Sequence, residues 1–212
     1  MKLGIITKLT FSLLLVVGLN THAQNKEGGL IKIKNNVFSV EYSETLEQPI
    51  WVIYTSKNRV KNVDRGSMNF HTEEGIHTSD NKDYYRNIWD KGHMAPAATF
   101  SDSKENLFLT FSYLNCSLQN KYLNRGEWRL LEAQERVWDD TEDLIIKVIS
   151  IYNNKSLVLS TGATVPYAYH KHIKFVKQNK IKCYYFLNDR PVKGWEDHDN
   201  TDKCEIKTDF IF

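Results

Sequence analysis

Asp90-Lys91-Gly92-His93-Met94-Ala95-Pro96 is the stretch on which the reading of this chain turns, together with the segment Asn115 to Glu132, NCSLQNKYLNRGEWRLLE, about twenty residues further on. Taken singly, each half is ordinary. Asp followed by Lys-Gly is turn chemistry, and Asn124, Trp128, Leu131 and Glu132 share one face at roughly 100° per residue, as in a capped amphipathic helix with Asn124 as its N-cap. Taken together they are a set of chemical parts. His93, with an unperturbed pKa of about 6.5, is largely neutral at neutral pH and can accept a proton from water. Asn115, Gln119, Asn124 and Glu132 offer oxygen ligands of the kind a hard cation takes.

Phosphodiester cleavage needs those parts: a base to deprotonate water, positive charge on the phosphoryl oxygens, and stabilisation of the leaving alkoxide. One Mg²⁺ can serve the last two, because it prefers six oxygens and keeps most of its water, so that a protein needs to supply only one or two ligands. Asn124 and Glu132 lie eight residues apart, about 12 Å along a helix axis at 1.5 Å per residue. Both cannot grip one ion directly. Asn124 is therefore placed as the direct ligand and Glu132 behind a water.

DKGHMAPAATF, from Asp90 to Phe100, resembles the DRGHLAPAADF signature of the sugar-non-specific DNA/RNA endonucleases, the ββα-metal (His-Me finger) nucleases of the endonuclease G type. The downstream half is similar to that family's SN-[VI]-x-P-Q followed by LN-x-x-x-W-x-x-LE: Asn115 and Gln119 fall on the first pattern, and Asn124, Trp128 and Glu132 keep the spacing of the second. The resemblance runs from about Val37 to the C-terminus, loosely outside the two motifs. It implies that His93 is the general base, Asn124 the sole direct protein ligand of Mg²⁺ (with Mn²⁺ as the alternative ion), and Glu132 a ligand through water. It further implies that Asn115 holds the base or the phosphate, that Gln119 and Lys91 touch substrate, and that an upstream arginine supports the transition state. For that arginine Arg65 is the nearest match and Arg59 the alternative. The implied substrates are DNA and RNA, cut to leave 5′-phosphate ends.

The chain departs from the pattern at Lys91, where the family has Arg; the charge stays but the planar fork that suits phosphate is lost. Leu118 replaces the family's Pro and Thr99 its Asp. These departures keep two other readings open: a catalytically silent nucleic-acid-binding protein on the same fold, and a phosphodiesterase for small substrates.

At 212 residues, 41% hydrophobic and 25% charged, the composition is that of one globular domain. Residues 1–23 stand apart: Lys2 and Lys8 precede an apolar run from Leu9 to Leu19, and Thr21-His22-Ala23 ends it with small residues, the form of a secretory signal peptide cut before Gln24. The run is shorter than the roughly twenty residues that a membrane span needs. The expected organisation is thus a leader over 1–23, a tether over 24–36 and an endonuclease domain over 37–212, exported to the periplasm or beyond and free of the membrane once the leader is cut. The leader carries two lysines and no acid, so its loss removes the small excess of 28 basic over 26 acidic residues. Binding of a polyanion then depends on a local patch. Two basic runs are candidates, Lys57 to Arg65 and His170 to Lys182, with the acids from Asp139 to Asp143 expected elsewhere.

Strand-like runs outnumber helical ones. Leu30 to Tyr42 reads as a strand pair around Asn35-Asn36, Ile50 to Thr55 as a central strand, and Leu107 to Leu114 as a strand delivering Asn115. LIIKVISIY and SLVLSTG read as a hairpin around Asn153-Asn154, Ile173 to Val176 and Ile181 to Leu187 continue the sheet, and IKTDFIF ends it. One helix runs from Asn124 to Trp138, and Asn58 to Asn87 is a long polar loop. The fold class is α+β with a central, mostly antiparallel sheet carrying the ββα-metal motif. Export permits a Cys183–Cys204 disulfide, which leaves Cys116 as a buried thiol.

Overall fold

The computed structural model describes residues 24–27 and 29–204, so the leader expected over 1–23 and the closing strand IKTDFIF lie outside the described residues. Seven strands form one antiparallel sheet: β1 Gln24–Glu27, β2 Leu30–Lys34, β3 Phe38–Ser43, β4 Gln48–Ser56, β7 Leu144–Ile151, β8 Ala168–Phe175 and β9 Lys180–Leu187, in that spatial order. Between β4 and β7 the chain leaves the sheet to build a separate hairpin, β5 Trp89–His93 paired with β6 Cys116–Asn120. It returns through the helical segment α2 Lys121–Leu123, a π-type turn Asn124–Trp128 and α3 Arg129–Trp138. The expected α+β class with an antiparallel sheet is what the chain adopts, and IWVIYT lies in the middle strand. No described helix is long and apolar enough to cross a membrane.

Period-2 patterning explains the sheet. Along β7 alternate residues are buried, and Ile146 and Val148 join Val40, Tyr42, Val52, Tyr54, Tyr169, Ile173 and Phe186 in the main core. Trp128 and Leu131 of the helical segment close that core, with the Trp128 ring 5.3 Å from Tyr169 and 5.6 Å from Phe186. The β2–β3 turn is closed by Asn35, whose Oδ1 accepts from the Val37 and Phe38 amides at 2.8 and 2.9 Å.

Four expectations need correction. The stretch 24–36 is not a tether: β1 and β2 are strands of the sheet. Leu107 to Leu114 is not a strand. Ser103 caps a helix there, α1 Lys104–Thr110, by accepting from the Asn106 amide at 3.0 Å. The buried positions Leu107, Thr110, Phe111 and Leu114 recur at helical spacing, which outweighs the β-propensity of the aromatics. SLVLSTG forms no strand of the sheet; Leu157 and Val158 are exposed, and the partner of β7 is β8. The helix begins at Lys121 rather than Asn124, because Asn120 is the cap, its Oδ1 accepting from the Tyr122 amide at 2.9 Å.

β6 is the strand that the sequence conceals. All five residues of CSLQN are buried, yet only two are apolar. Side chains stand in for a missing neighbouring strand: Gln48 Oε1 accepts from the Leu118 amide (2.8 Å), Asn188 Oδ1 accepts from the Asn120 amide (2.7 Å), and Asn188 Nδ2 donates to the Leu118 carbonyl (2.9 Å). These bonds satisfy the strand's outer edge and fix the hairpin against the large sheet.

Lys171, on the inner face of β8, is fully buried. Its Nζ meets Glu135 Oε1 at 2.8 Å and lies 4.2 Å from the centre of the Trp128 ring, while Tyr54 donates to Glu135 Oε2 at 2.9 Å. Removing one partner leaves a buried charge without compensation. Lys171→Met is therefore expected to lower unfolding free energy by about 3–5 kcal/mol in a urea titration.

Candidate active site

The β5–β6 ladder sets the site. Asp90 lies opposite Gln119, Gly92 opposite Ser117 and His93 opposite Cys116. Gly92 is required by packing: a Cβ there would lie 2.6 Å from the Gln119 Cβ, so any side chain would displace Gln119 from over the strand. The Gln119 carboxamide is buried, and neither its oxygen nor its nitrogen has a hydrogen-bond partner among the described residues. Such an orphan is costly in a finished core and marks a place where a further polar group belongs.

His93 is held between two rings, Phe70 at 4.7 Å and Phe111 at 4.8 Å. Burial and the nearby Arg65 charge push its pKa down to about 3, so the imidazole is neutral throughout the working range of most enzymes. Nε2 is buried without a hydrogen-bond partner among the described residues. Arg65 lies 5.1 Å from the Phe111 ring, on the same aromatic wall. Arg59 is elsewhere: it pairs with Asp102 at 3.1 Å and covers Phe100. Of the two upstream arginines, Arg65 is the one near the base, and Arg59 is held in an ion pair with Asp102.

The histidines also have a consequence for stability. Burial first, then the His170 and Lys147 charges, lower His172 to about 4. An unfolded chain takes up protons on both rings near pH 6.5, and the folded protein only near 3 and 4. Stability is therefore full above about pH 6.5 and falls on acidification, by about 1.4 kcal/mol per pH unit for each ring. Thermal unfolding followed from pH 7 to 4.5 is expected to show this, with a shallower decline in His93→Gln.

Asn115 carries its load through backbone. Oδ1 accepts from the Ala95 amide (2.7 Å) and Nδ2 donates to the carbonyls of Ala95 and Thr110 (both 2.9 Å), in a fully buried setting. No donor remains for a phosphate. Of its two implied roles, holding the base or holding phosphate, the geometry fits the first: it clamps the chain two residues after His93.

Asp90 joins the two motifs. Its Oδ2 accepts from Asn124 Nδ2 at 3.0 Å, and Arg125 binds the same carboxylate in bidentate fashion at 2.7 and 2.6 Å. Burial would raise the Asp90 pKa, but Arg125 and Asn124 outweigh it and hold the carboxylate below its ordinary value. With the amide nitrogen so engaged, the orientation of the Asn124 carboxamide is set and its Oδ1 is the end left for a cation. Asn124 stands at the head of the π-type turn, where Gly126 (φ −101°, ψ −115°) departs from helical geometry; such turns recur at functional sites.

Glu132, on the next stretch of helix, has its pKa pushed up to about 7 by burial, against the pull of Lys171 and Arg136. A carboxyl so poised is one that a bound cation would ionise. Asn124 Oδ1 and the Glu132 carboxylate are hard oxygen donors of the kind that a hydrated divalent cation takes.

Three features escape a reading of the sequence. Arg136, one helical turn after Glu132, buries Nη1 without a partner among the described residues; its i+4 spacing from Glu132 is the available signal. Phe70 and Asn81 come from the long loop and offer none. Asn81 Oδ1 accepts from Lys91 Nζ and from the Tyr113 hydroxyl (3.0 Å), and the rings of Phe70, Tyr84 and Tyr113 surround the Lys91 ammonium at 5.4–5.8 Å.

Both proposed basic runs are interrupted. Lys57 pairs with Asp143, and Lys61 with Asp139, so acids expected elsewhere face this run. In the second run alternate residues face opposite sides of β8, and Lys171 is buried. Cys183 and Cys204 form a disulfide, and Cys116 is a buried free thiol that desolvation pushes up to about 12, which removes it as a nucleophile.

The chain is 32% identical over 103 residues to the mitochondrial nuclease EXOG of Danio rerio, covering 46% of this chain and 29% of that protein. It is 27% identical over 114 residues to mitochondrial endonuclease G of Bos taurus, covering 51% and 38%. The matched part is thus well under half of those relatives' length. Among solved structures, the crystal structure of the EndoG/EndoGI complex superimposes with a TM-score of 0.68 at 22% identity, covering 79% of each chain, and shares the fold. The family model for DNA/RNA non-specific endonuclease matches residues 19–210, and the chain belongs to that family.

Proposed function

We propose that this protein is an exported, Mg²⁺-dependent endonuclease that hydrolyses DNA and RNA with little sequence preference. The observation that carries the reading is the Asp90–Asn124 hydrogen bond, which ties the strand bearing the base to the helix bearing the candidate metal ligand. Family membership supports phosphodiester hydrolysis. The leader-like pattern of residues 1–23 and the disulfide support export to an oxidising compartment.

Asn124 Oδ1 would hold the cation directly and Glu132 through water; when bound, the cation supplies positive charge to the scissile phosphate and the leaving 3′-oxygen. The chain's own groups do the rest. His93 Nδ1 accepts the proton of the attacking water, the imidazole being neutral and therefore able to take it. Phe70 and Phe111 fix the ring from two sides and exclude competing water. Arg65 places its charge beside the developing phosphorane. No residue named so far reads a base edge, so low sequence preference follows from contacts confined to phosphate, sugar and water.

Incubation of plasmid DNA and of RNA with Mg²⁺, with and without chelator, tests this. Degradation of both, blocked by chelator, is the expected result. The Lys91 environment favours one other reading: an ammonium already engaged by Asn81 and enclosed by three rings is less available to phosphate, as in a binding protein without turnover. Tight binding of DNA with no degradation under any divalent ion would establish that alternative.

A further inference from the structure

From the surface beside Asn124 we infer that the polynucleotide backbone is held along a cationic stripe on the first turns of the helical segment, formed by Lys121, Arg125 and Arg129 and extended by Arg190. The inference rests on the nucleic-acid reading of the site and names the surface that serves it.

Lys121, Arg125 and Arg129 recur every four residues along the helical segment, with the π-type turn and the non-helical Gly126 between Arg125 and Arg129. Arg129 Nε donates to the Arg125 carbonyl at 3.1 Å, so the Arg129 side chain folds back across that turn to Arg125. Arg125 and Arg129 are exposed. Asn124, the candidate metal ligand, is the residue immediately before Arg125, so phosphates bound on this row run directly into the site.

Other segments converge on the same place. Asn188 bonds to the Asn120 amide, which brings the end of β9 against the start of the helix and lets Arg190 lie 4.7 Å from the Tyr122 ring. Lys121 Nζ lies 5.2 Å from the same ring. Tyr122 is 47% exposed, and two cations on one exposed ring are partly ordered before any ligand arrives, which lowers the entropic cost of gripping a phosphate. The Ile88 carbonyl accepts from the Lys121 amide at 3.1 Å, so the loop carrying exposed Arg86 also borders the row. Of the acids beside the row, Asp90 is already paired with Arg125, Asp189 accepts from the Arg190 amide, and Glu127, between Arg125 and Arg129, accepts from the Trp195 amide. In the Lys57–Arg65 run Lys57, Arg59 and Lys61 are each paired with an acid, whereas in the stripe Arg125 is so paired and Lys121, Arg129 and Arg190 have no ion pair among the described residues.

The test is fluorescence anisotropy of a labelled oligonucleotide in chelator, which prevents turnover, measured at salt concentrations from about 50 to 200 mM. The variants are the triple Lys121→Glu, Arg129→Glu, Arg190→Glu and the control Lys177→Glu, Lys180→Glu at the β8–β9 turn, with circular dichroism melting to verify folding. The stripe predicts that the triple variant binds at least tenfold more weakly. Its slope of log affinity against log salt should be flatter by about two to three, at roughly 0.7–0.9 per lost phosphate contact. The control should match the parent protein. A triple variant with parental affinity and slope, or a control that takes the loss, overturns the stripe. Because binding is read without cleavage, failure of the plasmid digest with a normal stripe result sinks the nuclease reading alone.

Discussion

Replacing His93 with alanine is expected to lower plasmid and RNA cleavage by about 10²–10⁴-fold while oligonucleotide affinity in chelator stays within a factor of a few. The imidazole is the only neutral nitrogen base described on the β5–β6 hairpin, and its ring fills a gap between Phe70 and Phe111. Truncation also leaves a cavity, so His93→Gln is the companion variant: it keeps volume and polarity but accepts no proton near neutral pH. Loss of cleavage in both, with unchanged melting temperature in the second, isolates the proton transfer. Cleavage that survives in His93→Gln would move the base elsewhere.

Replacing Asn124 with alanine is expected to weaken divalent-ion affinity by more than the roughly 10–100-fold typical of losing a residue that only supports a ligand. Asp90 already occupies the amide nitrogen, so the carboxamide is oriented in advance and its removal costs the cation both an oxygen and that orientation. Glu132→Ala should weaken binding less, because it acts through water. Calorimetric titration of Mn²⁺ into the three proteins orders them; equal affinity in all three would remove the assignment.

Both effects concern residues that are legible in the amino-acid sequence itself, and the reason is physical. His93, Asn124, Trp128 and Glu132 are fixed by chemistry and by helical spacing, which a linear sequence displays. The sheet is legible for the same reason, since β7 and β4 carry period-2 apolar patterns. What the sequence hides depends on contacts between distant segments. β6 lacks a strand's composition because Gln48 and Asn188, roughly seventy residues away on either side, satisfy its edge. LFLTFSYL reads as a strand by propensity but is helical through the Ser103 cap and the burial of Leu107, Thr110, Phe111 and Leu114. The sequence leaves Arg59 open beside Arg65, and the two are separated by contacts it does not display: Arg59 pairs with Asp102, while Arg65 lies over Phe111 near His93. The basic runs mislead because charge counted along a strand ignores that Lys171 points inward to Glu135.

The central claim is that one hydrated divalent cation is shared between Asn124 of the helix and the reach of His93 on the hairpin. Crystals soaked in Mn²⁺ and measured for anomalous scattering test it directly. The account predicts a single strong peak about 2.0–2.5 Å from Asn124 Oδ1, with His93 Nδ1 one water molecule away and Glu132 facing the ion through another. A peak bound elsewhere, or one at Asn124 with the His93 imidazole too distant to touch its water shell, would contradict it.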